Sequence, residues 1–334
     1  MIDQKLILDK ILNKKNLNIE ESMYIFNKIM SGDLDDIKIT SILIGLKLKG
    51  ETKEEIIGAA KVMREKSLQI NSPQNTIDTC GTGGDMKDTL NISTSSAIVA
   101  ASAGVTIAKH GNRSVSSKSG SADMLEKIGY KISNNLKELE KSLLNKNFCF
   151  LFAQNHHLAM KNVIYVRKNL ATRTIFNLLG PLTNPAKASK QLLGVYSKNL
   201  VSMHCSCLKD LGSKNALVVH GLDGLDEISL SDKTYINELK DNKILEYTFD
   251  PRDYGYNLIR LEEIKGGDPE YNAKCFHKMI NGEYKKFQEI IEINAGAAIY
   301  LSNLTNNFND GFKLAKKVIE EGITKKFVNS LIHG

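Results

Sequence analysis

From about residue 75 onward, short apolar runs alternate with helix-patterned stretches. That alternation restricts the chain to a mostly parallel sheet covered by helices on both faces. Residues 76–80, 105–109, 148–153, 191–196 and 216–220 read as buried strands, and 95–103, 122–128 and 200–211 as helices between them. Unusual loops follow the strands at once. Gly81-Thr82-Gly83-Gly84-Asp85 follows the first, and His110-Gly111-Asn112-Arg113 the second. Gln154-Asn155-His156-His157 follows the third, and Gly221 through Asp226-Glu227 the fifth. Open α/β sheets bind ligands outside the carboxyl ends of their strands, so these loops are expected to converge on one site.

Residues 1–70 carry a helical pattern and no chemical motif. Asn18 with Glu21, and Thr52 with Glu55, have capping-box spacing, and Gly32 and Gly50 sit where helices stop. The expected division is a helical domain over 1–70, joined by helices around 165–185, and an α/β domain over 71–334. Residues 227–274 read as shorter strand-like pieces and turns, and 294–333 as helix. No apolar run reaches the 18 residues of a membrane span, and the start lacks the apolar block of a signal peptide. Five scattered cysteines, an odd number, point to a reducing cytoplasm rather than a disulfide framework. The net charge of +7 is spread over both signs without a basic stripe, which argues against nucleic acid as the partner.

Four constellations carry chemistry. Three glycines within four residues at 81–84 let backbone approach a ligand and form an anion nest, although such a turn also occurs without a ligand. Thr89, Asn91, Ser93, Thr94, Ser95 and Ser96 then open a helix with hydroxyls and amides, an arrangement suited to phosphate. The stretch from Lys109 to Asp123 holds three cations, five serines and two glycines, again matching phosphate oxygens. Asp226-Glu227 alone is ordinary surface chemistry; beside two phosphate-type loops it reads as a Mg²⁺ pair. Arg167 is either a surface residue or a clamp for a substrate carboxylate. Segment 177–184 reads as a fixed turn. His204-Cys205-Ser206-Cys207 lacks the spacing and the second pair of a zinc site. No nucleophile–base set is visible. The residues therefore point to transfer from a polyphosphorylated substrate, driven by positioning and charge.

Taken in order, Gly-Thr-Gly-Gly-Asp at 81–85, Asn-Ile-Ser-Thr at 91–94, Lys-His-Gly-Asn-Arg-Ser-Val-Ser-Ser at 109–117, Asn-Leu-Leu-Gly-Pro-Leu-Thr-Asn-Pro at 177–185 and His-Gly-Leu-Asp-Gly-Leu-Asp-Glu at 220–227 resemble the anthranilate phosphoribosyltransferases. Gly-Gly-Asp at 266–268 and Asn-Ala-Gly-Ala-Ala at 294–298 extend the resemblance nearly end to end. It implies a nucleoside-phosphorylase-like fold, with a small N-terminal helical domain and a large α/β domain around a mostly parallel sheet. It also implies a homodimer through the helical domain. The implied reaction joins anthranilate to the phosphoribosyl group of phosphoribosyl pyrophosphate, releases pyrophosphate, and belongs to tryptophan biosynthesis.

By the same resemblance, Gly81, Gly84, Asp85, Thr89, Asn91, Ile92, Ser93, Thr94, Lys109, His110, Gly111, Asn112, Arg113, Ser114, Val115, Ser116, Ser117 and Ser121 would hold phosphoribosyl pyrophosphate. Gly81, Asn112 and Arg167 would receive anthranilate. Ser93, Asp226 and Glu227 would ligate Mg²⁺, with two ions per monomer. Gln154 and Leu158 stand where the family commonly has proline, and Met86 where it has a small residue. Pyrimidine nucleoside phosphorylases share the implied fold, but their Lys-His-Ser-Thr-Gly-Gly-type loop and longer C-terminal domain are absent. A nucleic-acid-binding paralogue with little activity is the alternative from another class.

Overall fold

The computed structural model describes residues 2–114 and 118–333. Val115, Ser116 and Ser117 lie outside the described residues. Four helices come first: α1 (Gln4–Leu12), α2 (Ile19–Ser31), α3 (Asp36–Lys49) and α4 (Lys53–Glu65). Their ends follow local chemistry. The Asn18 side chain accepts from the Glu21 amide at 2.9 Å, and the Glu21 carboxylate accepts from the Asn18 amide at 3.1 Å. Thr52 and Glu55 form the same reciprocal pair at the start of α4. Gly32 closes α2 with φ 77°, a left-handed conformation that glycine adopts without steric cost.

The α/β part follows as β1 (Ile77–Asp78), α5 (Ile92–Ser102), β2 (Ile107–Gly111), α6 (Ser121–Lys127), α7 (Leu136–Lys146), β3 (Phe148–Phe152) and the single turn α8 (Ala153–His156). Next come α9 (Lys161–Leu170), α10 (Phe176–Leu179), β4 (Lys190–Gly194), α11 (Asn199–Asp210), β5 (Asn215–Gly221), β6 (Thr234–Lys240) and β7 (Lys243–Phe249). Helices α12 (Pro269–Ile280), α13 (Lys285–Ser302), α14 (Phe308–Glu320) and α15 (Ile323–His333) complete the chain. The sheet order is β3-β2-β1-β4-β5-β6-β7, parallel through β5 and antiparallel in the last two strands.

A small apolar cluster around Leu139, Leu143, Cys149 and Leu151 packs at β2 and β3, and two larger cores cover the two faces of the sheet. Along β4 and β5 the side chains alternate between them with the period of two that a strand imposes. Leu192, Leu217 and Val219 join one core with residues of α5, α13 and α14. Leu193, Ala216 and Val218 join the other with Ile7, Phe26, Ile42 and Ile56 of α1–α4 and Val163, Val166, Phe176 and Leu179 of α9 and α10. The helical domain is thus buried against one face of the sheet, and residues 163–182 pack with it.

Local readings differ from the structure in three places. The first strand keeps only Ile77–Asp78 of residues 76–80, because Thr79 turns away and its carbonyl takes the Lys109 ammonium at 3.2 Å. Segment 177–184, read as a fixed turn, is largely helical: α10 runs into a 3-10 turn at Gly180–Leu182. Within 227–274, β6 and β7 are full seven-residue strands rather than short pieces. They are joined at Asp241 and Asn242, whose φ values of 50° and 59° are those of a tight two-residue hairpin.

Candidate active site

The Gly-rich loop is held from three sides. The Thr82 amide donates to the Gly194 carbonyl at 2.9 Å, and the Thr82 hydroxyl accepts from the Tyr196 amide at 3.1 Å. The Arg173 guanidinium donates to the Gly84 carbonyl while lying 4.0 Å from the centre of the Tyr196 ring. Gly266 donates to the Asp88 carbonyl at 2.7 Å, Leu90 donates to Ile264, and Thr89 bridges Lys265. The Gly-Gly-Asp segment at 266–268 therefore belongs to this site as its outer wall. Gly83 and Gly84 have φ of 64° and 83°; Met86 and Asp88 share the left-handed region at 59° and 52°. A loop wound this way turns successive amides toward one concavity. Met86 projects into solvent, 83% exposed.

Helix α5 opens into the same concavity. Asn91 precedes it but does not cap it. Its side chain instead bonds Ser119 and Asn272, tying the α5 start to the loop after β2 and to α12. At the start of α5 the Ile92 amide donates to the Leu90 carbonyl at 2.7 Å, and the Ser93 amide donates to the Glu227 carboxylate at 3.1 Å. Ile92 is buried in the core and offers the site only backbone. The hydroxyls of Thr94, Ser95 and Ser96 are buried without partners.

Strand β2 carries Lys109, 1% exposed, whose Nζ lies 3.2 Å from the Thr79 carbonyl, 3.3 Å from the Thr79 hydroxyl and 3.4 Å from the Ser93 hydroxyl. Lys109 brings a positive charge under both the Gly-rich loop and the α5 start. The His110 amide donates to Asp78 Oδ1 at 3.0 Å, and His110 Nδ1 lies 3.1 Å from the Gly180 carbonyl. Gly111 admits no side chain: a Cβ there would lie 2.7 Å from Phe150 and 3.1 Å from Ser121. Asn112 is exposed at the rim, and its side chain accepts from Gln154 at 3.5 Å. Arg113 is paired with Asp123 and Glu126 at 2.8 and 2.7 Å and lies over Phe152. The Ser114 amide donates to Asp123 at 3.0 Å.

The acidic pair reaches the site through close backbone packing. A Cβ on Gly194 would sit 1.6 Å from the Asp226 carbonyl oxygen, and one on Gly81 3.6 Å from Asp226 Oδ2. Asn294 of α13 grips the next residue on both sides: its Oδ1 accepts from the Ile228 amide at 3.0 Å, and its Nδ2 donates to the Ile228 carbonyl at 2.9 Å. The structure adds a third acid, Asp85. Burial first, and then the charge of Asp85, push the Asp226 carboxyl up to about 8. Burial and then Asp226 push Glu227 well up, with Lys109 opposing. Among the described residues none of these three acids has an ion-pair partner. Burial raises the neighbouring Cys80 thiol, which leaves it a poor nucleophile.

Arg167 extends from α9 over the Phe176 ring at 5.4 Å. It is half-buried, with its basicity lowered by burial, and among the described residues it pairs with no acid. An unpaired guanidinium in such a place is suited to a carboxylate from outside the chain. His157 packs against the His110 ring at 5.2 Å, and Leu158 is exposed nearby in sequence. His204 is closed to metal, because both ring nitrogens meet backbone carbonyls, those of Leu200 and Leu178. Sequence reading missed Arg173, Gly194 and Thr79 as site-building residues. Gly194 stands at the end of an apolar run, Thr79 heads the Gly-rich stretch, and Arg173 is one of only six arginines, signals that did not by themselves assign a role.

The chain is similar to known proteins over nearly all its length. The glycosyl transferase family a/b domain matches residues 73–325, and the family's helical bundle domain matches residues 5–67. An anthranilate phosphoribosyltransferase of Alkaliphilus metalliredigens is 46% identical over 327 residues, covering 97% of this chain and 96% of that protein. The crystal structure of an anthranilate phosphoribosyltransferase from Thermus thermophilus superposes with a TM-score of 0.92 at 35% identity, covering 98% of each chain. The Saccharomyces cerevisiae enzyme in complex with PRPP and Mg superposes with a TM-score of 0.89 at 27% identity, covering 98% of this chain and 96% of that one. A helical bundle packed on a seven-stranded, mostly parallel sheet, with its strand-end loops gathered at one point, is thus shared end to end, and the chain belongs to the anthranilate phosphoribosyltransferase family of pentosyltransferases.

Proposed function

We propose that this enzyme transfers the phosphoribosyl group of phosphoribosyl pyrophosphate to the amine of anthranilate, a step of tryptophan biosynthesis. The observation that carries the assignment is the contact between the Ser93 amide and the Glu227 carboxylate. It unites the phosphate-type helix start and the acidic pair in one cavity. The residues fit Mg²⁺: three acids face one another, and burial with mutual repulsion raises Asp226 and Glu227, a cost that a divalent cation removes. Asp226, Glu227 and Ser93 would hold it, with Asp85 beside them, and three carboxylates have room for two ions. The chemistry a bound Mg²⁺ supplies here is neutralisation of the pyrophosphate oxygens.

The chain's own groups do the rest. The bond from ribose C1 to the pyrophosphate oxygen breaks with its electron pair leaving on oxygen, and the anthranilate nitrogen bonds to C1. The amine then loses a proton to solvent. An aromatic amine is already neutral at pH 7, so no strong base is needed. Lys109, the Gly81–Asp85 loop and the positive N-terminal end of α5 act where negative charge develops on the leaving group. Asn91, Thr89, Thr94, His110, Gly111, Asn112, Arg113, Ser114 and Ser121 line or support the donor cavity in this reading. Arg167 takes the anthranilate carboxylate, with Gly81 and Asn112 beside the ring, and holds the nitrogen in line with C1.

We also propose a homodimer. Helix α3 buries Ile39, Ile42, Leu43 and Leu46, and it leaves Ile37 and Leu48 80% and 77% exposed. Neighbouring α9 exposes Ile164 and Tyr165. Large apolar side chains exposed together on neighbouring helices fit a second copy covering them. Five free thiols fit the reducing cytoplasm as its location. No helix among the described residues is long and apolar enough to cross a membrane.

The test is loss of anthranilate fluorescence on mixing with phosphoribosyl pyrophosphate, the protein and Mg²⁺. Phosphate-dependent cleavage of a pyrimidine nucleoside, or nucleic-acid binding with no transfer, would replace this reading with one of its rivals.

A further inference from the structure

Beneath the Gly-rich loop, Asp78, Cys80 and His110 bring one carboxylate oxygen, one thiol and one imidazole nitrogen within 4.8 Å of one another. The proposed transfer gives Asp78 and Cys80 no part and asks of His110 only that it support the donor cavity. Asp78 is fully buried and His110 is 3% exposed, yet Asp78 Oδ2 and His110 Nε2 have no hydrogen-bond partner. Buried polar atoms are normally satisfied, so two atoms without partners among the described residues, on side chains grouped with a thiol, call for an explanation.

The surroundings hold the imidazole and the carboxylate ready for a metal, which would itself draw the proton from the thiol. A carbonyl oxygen accepts only, so at 3.1 Å from the Gly180 carbonyl His110 Nδ1 carries the proton and Nε2 carries the free lone pair. Fixing a ligating histidine through its other nitrogen is how outer-shell groups set the tautomer. Asp78 is held in the same way, through Oδ1 and the His110 amide at 3.0 Å. Cys80 is half-buried and gives access from the Gly-rich loop.

We propose that Asp78, Cys80 and His110 form a binding site for a soft divalent cation of the Zn²⁺ class, separate from the Mg²⁺ site at Asp226 and Glu227. The donor set decides the class, because nitrogen and thiolate favour zinc-like ions whereas Mg²⁺ takes oxygen. Zinc bonds of about 2.0–2.3 Å put tetrahedral ligands roughly 3.5 Å apart, so closing on an ion asks each side chain to move by less than about 1 Å. The thiol proton passes to solvent as the sulfur–metal bond forms. Carboxylate and thiolate then balance the two positive charges, so the site stays neutral beside Lys109. Three protein ligands leave a fourth position for water.

The test uses the full chain, freed of metal and without phosphoribosyl pyrophosphate. Titration with Co²⁺ as a spectroscopic stand-in is expected to bind one equivalent and give a thiolate-to-cobalt charge-transfer band. Excess Mg²⁺ is expected to leave that band in place. Cys80→Ser should abolish the band and weaken Zn²⁺ binding at least about tenfold, whereas Cys275→Ser should keep both. A native chain without the band, a band that survives Cys80→Ser, or displacement of the ion by Mg²⁺ would each overturn the site. A measurement that needs no variant is alkylation of Cys80, read by mass spectrometry. Saturating Zn²⁺ should slow it at least about tenfold, and an unchanged rate also overturns the proposal.

Discussion

The backbone of Asp226 rests directly on Gly194: a Cβ built on that glycine would lie 1.6 Å from the Asp226 carbonyl oxygen. Both residues adjoin the site, since the Gly194 carbonyl accepts from the Thr82 amide at 2.9 Å and Glu227, next to Asp226, takes the Ser93 amide. Gly194→Ala forces the acidic loop outward. The expected cost is at least about 2 kcal/mol in urea unfolding, with Mg²⁺-dependent activity reduced in the protein that still folds. A stability equal to that of the native chain would show that the loop relaxes freely.

Asp226→Ala combined with Glu227→Ala removes the two acids that face Ser93 and Asp85. The double variant is expected to lower kcat, or to weaken Mg²⁺-dependent donor binding, by at least about tenfold, roughly 1.4 kcal/mol. Steady-state rates across a Mg²⁺ titration check this. An unaltered Mg²⁺ response would move the metal away from these residues.

Arg167 has no acidic partner inside the described chain, so its charge is available to a ligand. Arg167→Ala should raise KM for anthranilate more than KM for phosphoribosyl pyrophosphate. Initial-rate kinetics with each substrate varied in turn measure the difference. Equal changes in both constants would make the arginine a structural support of α9.

The buried acids set a pH dependence of stability. Burial raises Asp78 to about 6 and Asp226 to about 8, above their unfolded values near 4. A carboxyl raised on folding binds more protons in the native state, so its contribution is complete below about pH 4 and is lost as pH rises through the native value. Above about pH 7 the buried histidines are neutral in both states. Between about pH 7 and pH 8.3, in EDTA, Tm is therefore expected to fall. Mg²⁺ with phosphoribosyl pyrophosphate should flatten or reverse that slope, because the ion favours the deprotonated acids. A Tm in EDTA that rises over this interval would contradict the burial of Asp226.

The exposed side of α3 is the expected dimer contact. Ile37→Lys with Leu48→Lys should yield monomers in light scattering while the fold is retained, because both side chains already face solvent in the single chain. A dimer that persists would place the contact elsewhere.

Much of this fold was legible locally. Asn18 with Glu21, Thr52 with Glu55 and the glycine at 32 act within one turn of chain, so their helix ends could be read directly. The apolar runs at β3, β4 and β5 were equally plain, because strands buried on both faces need apolar residues throughout. The β6–β7 hairpin was harder. Its solvent-facing strand β7 carries Lys243, Glu246 and Thr248, and only Asp241-Asn242 marked the turn.

The sequence by itself determined which loops carry glycines, hydroxyls, cations and acids, and that each follows a strand, because those properties belong to residue type and short-range order. Only the tertiary structure decided what those loops do to one another. It turned Arg113 toward Asp123 and Glu126, left Arg167 unpaired, set Lys109 under Thr79 and Ser93, and pressed Asp85 against Asp226. Charge and hydrogen bonding act over a few ångströms of space, whatever the chain separation, and Ser93 and Glu227 meet across 134 residues. Packing of the two cores on the sheet brings them together, and no window of sequence contains it.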